Sequence, residues 1–358
     1  MDPAALIPTP DAIPVPWGWF QLFLLLTFFI HILLMNVMFG TTFIALVSHL
    51  RSGRTSPCTE AVSRTLPFTI AFVVNFGVAP LLFVQVLYGH LIYTSSILMA
   101  VFWLSVVALV IGAYSLAYVY KDRYAQLGGL RVLIAGLIAL LLLAVAFFFI
   151  NNLTLMQAPA SWSRYFDQPR GLLLNLDDPM LVPRFLHFMV AAVAVGGLAI
   201  ALWFHWQRKR GDQAALPWIA YGCRWFSYAT LVNGSIGLWF LTTLPKGLLT
   251  PSNTIGLLLL LTLVGGIVLA IPAVLYGLTS RVMPALICTL GTIALMLLAR
   301  GLLRTALLAP WFSVAQLPLA PSYSPLFLFL FFLATGLALI GWMVWFTLRP
   351  GADSEARS

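Results

Sequence analysis

Apolar residues fill this chain in long runs, broken by short polar or Gly- and Pro-containing stretches. Nine runs cover roughly residues 18–50, 66–95, 97–120, 132–151, 183–206, 217–243, 254–279, 283–308 and 323–347. Each is near the ~20 residues that a helix needs to cross the hydrocarbon core of a bilayer. In lipid the backbone polar groups have to be satisfied within the element itself. The pattern therefore predicts an all-α, polytopic membrane bundle of about nine transmembrane helices. The first run is too long for one crossing, and Trp17 and Trp19 at its start fit an interfacial aromatic belt.

Composition supports the membrane class. The 358 residues are 61% hydrophobic and only 8% charged, with a mean hydropathy of +1.00. About a quarter of a typical soluble chain is charged, so a soluble enzyme, a nucleic-acid module and a disordered chain are excluded. The formal charge of +9 does not imply nucleic acid, because the cations fall in short clusters between apolar runs, as positive-inside loops do.

With the N-terminus outside, one side receives Arg51, Arg54, Arg64, Lys121, Arg123, Arg131, Arg208, Lys209, Arg210, Arg281, Arg349 and Arg357. The other receives Arg164, Arg170, Arg184, Lys246, Arg300 and Arg304, and Arg224 lies inside the sixth run. The bias of 12 against 6 predicts an outer N-terminus and a cytoplasmic C-terminus in a bacterial inner membrane. The chain then divides into a periplasmic segment over 1–17, one transmembrane bundle over 18–348 and a cytoplasmic tail over 349–358. The first 17 residues are Pro-rich, carry Asp2 and Asp11 and lack a basic region, so they do not read as a cleavable signal peptide. Cys58, Cys223 and Cys288 lie far apart and form neither C-x-x-C nor C-x-x-C-H.

Chemistry in such a chain has few carriers. Glu60 and Glu355 are the only glutamates, no run has an Asp or Glu near its centre, and no P-loop or dinucleotide fingerprint occurs. The five histidines, His31, His49, His90, His187 and His205, all lie within or at the ends of runs. Polar side chains in lipid are costly and face the bundle interior or a cofactor. His31 and His49 are 18 residues apart, and so are His187 and His205. That is about five helical turns, or ~27 Å, so each pair shares one helix face. His31 and His187 fall near the outer leaflet, and His49 and His205 near the cytoplasmic boundary.

Two bis-histidine haems stacked across the membrane would explain this spacing, because imidazole is a common axial ligand of haem iron. The plainer reading makes His49 and His205 interfacial residues. His90, six residues from the outer end of its run, is expected at the depth of His187, so either His90–His187 or His31–His187 is an axial pair. Haem propionates need cations. Arg184 lies one turn from His187, and Arg300 and Arg304 lie four residues apart at an outer helix end, where the alternative is snorkelling to lipid phosphate. His31-x8-Gly40-x8-His49 is matched by His187-x8-Gly196-x8-His205, and Gly40, Gly196 and Gly197 read as sites of close helix packing.

Residues 178–188, Asp-Pro-Met-Leu-Val-Pro-Arg-Phe-Leu-His-Phe, followed by small residues and Arg208-Lys-Arg-Gly-Asp212, resemble the fifth helix of the cytochrome bd quinol oxidase large subunit. Phe20-Gln21 through His31 to Gly40 is similar to that family's first helix, and Val74-Asn75-Phe76-Gly77-Val78 to the opening of its second. The resemblance covers residues 18–240. It implies nine spans with the N-terminus outside, haem b as cofactor, and His187 and His31 as axial ligands, with His90 in place of the family's axial methionine. The carboxylates of the family's oxygen site are absent, and only Pro245 to Asn253 stands where its long quinol loop would be.

These departures leave a membrane b-type cytochrome that passes electrons between the quinone pool and a periplasmic partner such as a c-type cytochrome, without reducing oxygen. Asp177 and Asp178 in the loop before the fifth span, or a histidine free of iron, are the candidate bases for quinol. The competing expectation is a haem-free membrane anchor that docks redox proteins and binds quinone. A true oxygen reductase and a transporter fit the sequence less well.

Overall fold

The structure, a computed structural model, describes residues 3–52, 55–167 and 169–348. Asp2, Arg54, Arg349, Arg357 and the tail over 349–358 lie outside the described residues. Among the described residues nine long helices follow one another: α1 (Trp17–Ser52), α2 (Pro57–Leu98), α3 (Ala100–Asp122), α4 (Leu130–Met156), α5 (Leu181–Lys209), α6 (Leu216–Thr242), α7 (Thr254–Leu278), α8 (Val282–Leu308) and α9 (Ser324–Leu348). Eight are long and apolar enough to cross a membrane, and α6 is the one left out. Its 27 residues are sufficient in length, but Arg224, Ser227, Thr230, Asn233 and Ser235 dilute its apolar character.

Helix α2 begins nine residues before its apolar run, because the Ser56 side chain accepts from the Thr59 N–H and Pro57 occupies the first helical position. That capping arrangement satisfies donors which the first turn would otherwise leave open. Pro67 and Pro80 lie inside α2, and the helix bends at Tyr88, whose φ of −134° and ψ of 27° leave the helical region.

The helices form two groups. In the first, α1 packs on α2, α2 on α3, α3 on α4 and α4 back on α1; α5 to α8 close a second circuit in the same way. The groups meet where α1 crosses α5. A Cβ on Gly40 would overlap the Ala192 carbonyl and lie 2.9 Å from Gly196 Cα, and one on Gly196 would lie 2.6 Å from Gly40 Cα. The two backbones touch, as small-residue packing in membranes requires. Gly197 makes the same approach to α6, where its Cβ would lie 2.6 Å from the Phe226 nitrogen. These are the glycines that the His–Gly–His spacing singles out.

Helix α9 stands on the rim. None of its described side chains is buried, and Phe329 packs against Phe23 and Phe83 at 5.0 and 6.2 Å between ring centroids. The connection into α9 is held from elsewhere. Ile13 N–H donates to Pro318, and Ala320 N–H and Ser322 N–H donate to Ile13 and Pro14, at 2.8–2.9 Å. Ile13 and Val15 are buried there, so the N-terminal segment is strapped to the α8–α9 loop at the end of the bundle where α1 begins.

Candidate functional site

His31 is placed by α2. Val73 and Gly77 are four residues apart and share a helix face. The missing side chain at Gly77 opens that face to an imidazole, and a Cβ there would stand 2.9 Å from His31 Cε1. His31 Nδ1 lies 3.1 Å from the Val73 carbonyl oxygen. A carbonyl only accepts, so Nδ1 carries the proton and Nε2 presents a lone pair. Metal-binding histidines are commonly oriented by such a bond, and so are histidines that accept a proton.

The same arrangement recurs in the second group. His187 on α5 faces Asn233 and Gly237 of α6, again four residues apart. A Cβ on Gly237 would lie 3.2 Å from His187 Cε1, and the ring approaches the Asn233 backbone. The geometry is looser here, and the buried His187 Nδ1 has no hydrogen-bond partner. Measured from the Gly40–Gly196 contact, His31 and His187 lie at a similar height, about 10–14 Å towards the start of both helices. They face different neighbours, α2 and α6, rather than each other.

A cavity of about 80 Å³ opens beside His31, lined from α1, α2, α3, α4 and α8. Phe28, Trp103 and Phe149 supply aromatic walls; His31, Asn152 and Arg300 are the polar members. A larger depression of about 320 Å³ is lined by Pro217, Trp218, Ala220, Tyr221 and Arg224 of α6 alone. It is a groove on the surface of one helix, far from both imidazoles.

Three arginines stand around the His31 cavity, and one of them, Arg184, has the Asp178 carboxylate within electrostatic range. Arg300 lies over the Phe28 ring at 4.4 Å and Arg304 over Tyr88 at 4.6 Å. Arg184 lies over Phe240 at 5.4 Å and donates to the Gln157 side-chain oxygen at 3.1 Å. Arg300 is within electrostatic range of both others. Arg304 is 2% exposed, and its Nε and Nη1 have no partner. Among the described residues the ion pairs are Arg64–Glu60 and Arg164–Asp177, so neither neutralises this cluster. Uncompensated buried charge costs several kcal/mol per ion, so an anion beside the cluster would relieve it.

No family model matches this chain, and no curated protein matches it. Its chemistry therefore rests on the geometry.

The remaining sequence candidates are placed elsewhere. His49 is 2% exposed, and its Nε2 shares a 2.7 Å hydrogen bond with the Tyr120 hydroxyl. Tyr124 completes this corner: its hydroxyl meets Thr59 Oγ1 at 2.6 Å, and Arg131 Nε donates to its carbonyl. Burial pushes the Tyr124 phenol above its ordinary pKa. His205 sits beside Lys209 and Arg208 at the same end of the bundle. No helix brings it to His49.

His90 follows the bend in α2 and lies 13 residues beyond Gly77, about 20 Å of helix rise from the level of His31. Its ring packs edge-on against Phe312 at 4.4 Å, near Asp11 of the N-terminal segment. The depth expected to be common to His90 and His187 is thus not the arrangement found, because α2 runs well past the level where it meets α1. Asp177 pairs with Arg164. Asp178 accepts from the Met180 N–H at 2.8 Å and from Asn175 Nδ2 at 3.1 Å. Both aspartates shape the turn before α5, and neither lines the cavity.

Sequence reasoning did not find Phe28, Trp103, Phe149 or Asn152. Aromatic residues in apolar runs carry no periodic signal that separates a cavity wall from a lipid-facing side chain. Asn152 was more visible, as a polar residue near the end of a run. It accepts from Ser95 and donates to Ser96 Oγ at 2.9 Å.

Proposed function

We propose that this chain is a membrane b-type cytochrome that carries electrons between a quinol pool and a periplasmic redox partner such as a c-type cytochrome. In this reading nine helices cross a bacterial inner membrane, with the N-terminus outside and the C-terminus in the cytoplasm. The bias of cations to the predicted cytoplasmic side supports that orientation.

The observation that carries the reading is the union of a buried imidazole nitrogen without a hydrogen-bond partner with the guanidiniums of Arg300 and Arg304, for which the described residues supply no ion pair. His187 has an unengaged Nδ1. Arg184 precedes it by one turn, and Arg300 and Arg304 approach from α8. The donor set fits haem b, which pairs an iron that takes imidazole with two carboxylates that take arginine. His187 would hold the iron, and Arg184 and Arg304 the propionates, while Arg300 lines the His31 cavity. When bound, the haem supplies one-electron transfer. The protein would orient the imidazole against Gly237 of α6 and would neutralise the propionates. The cavity at His31 does not fit a porphyrin: 80 Å³ is well below the several hundred Å³ of an ordinary cofactor pocket.

That small volume favours a second reading, a haem-free membrane subunit that binds quinone and docks redox proteins. Haem content per chain separates the two. A reduced-minus-oxidised spectrum of the purified protein is expected to show a haem b band that His187→Ala abolishes. A protein with no such band, or a band unaffected by His187→Ala, refutes the cytochrome reading.

A further inference from the structure

We propose that the His31 cavity seats the ring of a lipid-soluble quinol, with one hydroxyl donating to His31 Nε2 and the opposite oxygen accepting from Arg300. This deepens the redox reading above by placing its substrate, and it gives His31 to the quinol rather than to iron.

Size comes first. At about 10–15 Å³ per water-sized probe, a volume of 80 Å³ has room for one substituted six-membered ring. It excludes a tetrapyrrole. The walls suit such a ring, since Phe28, Trp103 and Phe149 offer apolar and aromatic surface. Polarity supplies the ends. The Val73 carbonyl fixes the His31 proton on Nδ1, so the nitrogen left for a ligand is an acceptor and demands a donor such as a hydroxyl. Arg300 can only donate, and it demands an acceptor. A flat ring bearing an O–H at one end and an oxygen acceptor at the other meets both. Asn152 is already engaged through its oxygen and one amide hydrogen by Ser95 and Ser96, which leaves His31 and Arg300 as the principal polar contacts. The site lies among helices apolar enough to span a membrane, so its ligand arrives dissolved in lipid.

The test uses the full-length protein in nanodiscs and a photoreactive azido-quinone with a short tail, reduced to its quinol before irradiation. Peptide mapping locates the label, and absorption spectra of the same samples record haem. Labelling is expected on the peptides that carry His31 and Trp103. It should fall about tenfold or more in His31→Phe, which removes the accepting nitrogen, and in Leu153→Phe, which fills the cavity from α4. If His31→Phe does not fold, Leu153→Phe decides alone. Labelling elsewhere, or labelling unchanged in the folded variants, overturns the proposal. So does a haem band lost in His31→Phe while Leu153→Phe labels like the parent, because His31 is then an iron ligand. Labelling that depends on the cavity in a protein without haem leaves this site standing and removes the cytochrome reading instead.

Discussion

At the scale of single residues, the two imidazoles are controlled by what their partner helices lack. Gly77→Ala puts a methyl group against the His31 ring and should destabilise the protein by about 1–3 kcal/mol, the usual cost of overpacking. Gly136→Ala is the contrast. Its nearest foreign atom would be Leu46 Cδ1 at 3.7 Å, and the change should stabilise by about 0.4–1 kcal/mol through the unfolded chain. Thermal unfolding of the two variants reads the opposite signs. Tyr120→Phe leaves a buried imidazole nitrogen without its hydroxyl and should cost about 1–3 kcal/mol. Arg304→Met should act in two directions. Removing an unpaired buried charge raises the melting temperature of haem-free protein, whereas haem-loaded protein loses cofactor faster, as followed by the decay of its absorbance.

At the scale of elements, hydrophobic runs made the helices legible, because lipid tolerates little else. Eight of the nine expected spans emerge as helices apolar enough to cross. The sixth, read like the others from an apolar run, forms a helix whose polar residues explain why it falls short of the others. The start of α2 was not legible in hydropathy; Ser56 and Pro57 set it through capping. The Gly40–Gly196 contact was legible as spacing, because a crossing helix can approach closely only where side chains are absent. The cavity was not, since its walls come from five helices whose neighbours no linear pattern records. Gly196→Val should separate α1 from α5 and lower the melting temperature sharply. Truncation after Ser322, which removes α9, should leave the melting temperature nearly unchanged, because α9 is held mainly through Phe329.

At the scale of the whole molecule, two four-helix groups present equivalent imidazole stations, His31 against Val73 and Gly77, and His187 against Asn233 and Gly237. The stations have diverged in what surrounds them. One has a ring-sized space and a fixed tautomer; the other has an unengaged nitrogen and an arginine one turn away. The assembly has a seam in time as well as in space. The stretch around Ile13 and Pro14 is synthesised about 300 residues before its backbone partners, residues 318–322. Until those partners have been made, that stretch has no permanent berth. A protease added to arrested nascent chains should clip it there, and the same cut should vanish once the eighth and ninth helices have been released into the bilayer.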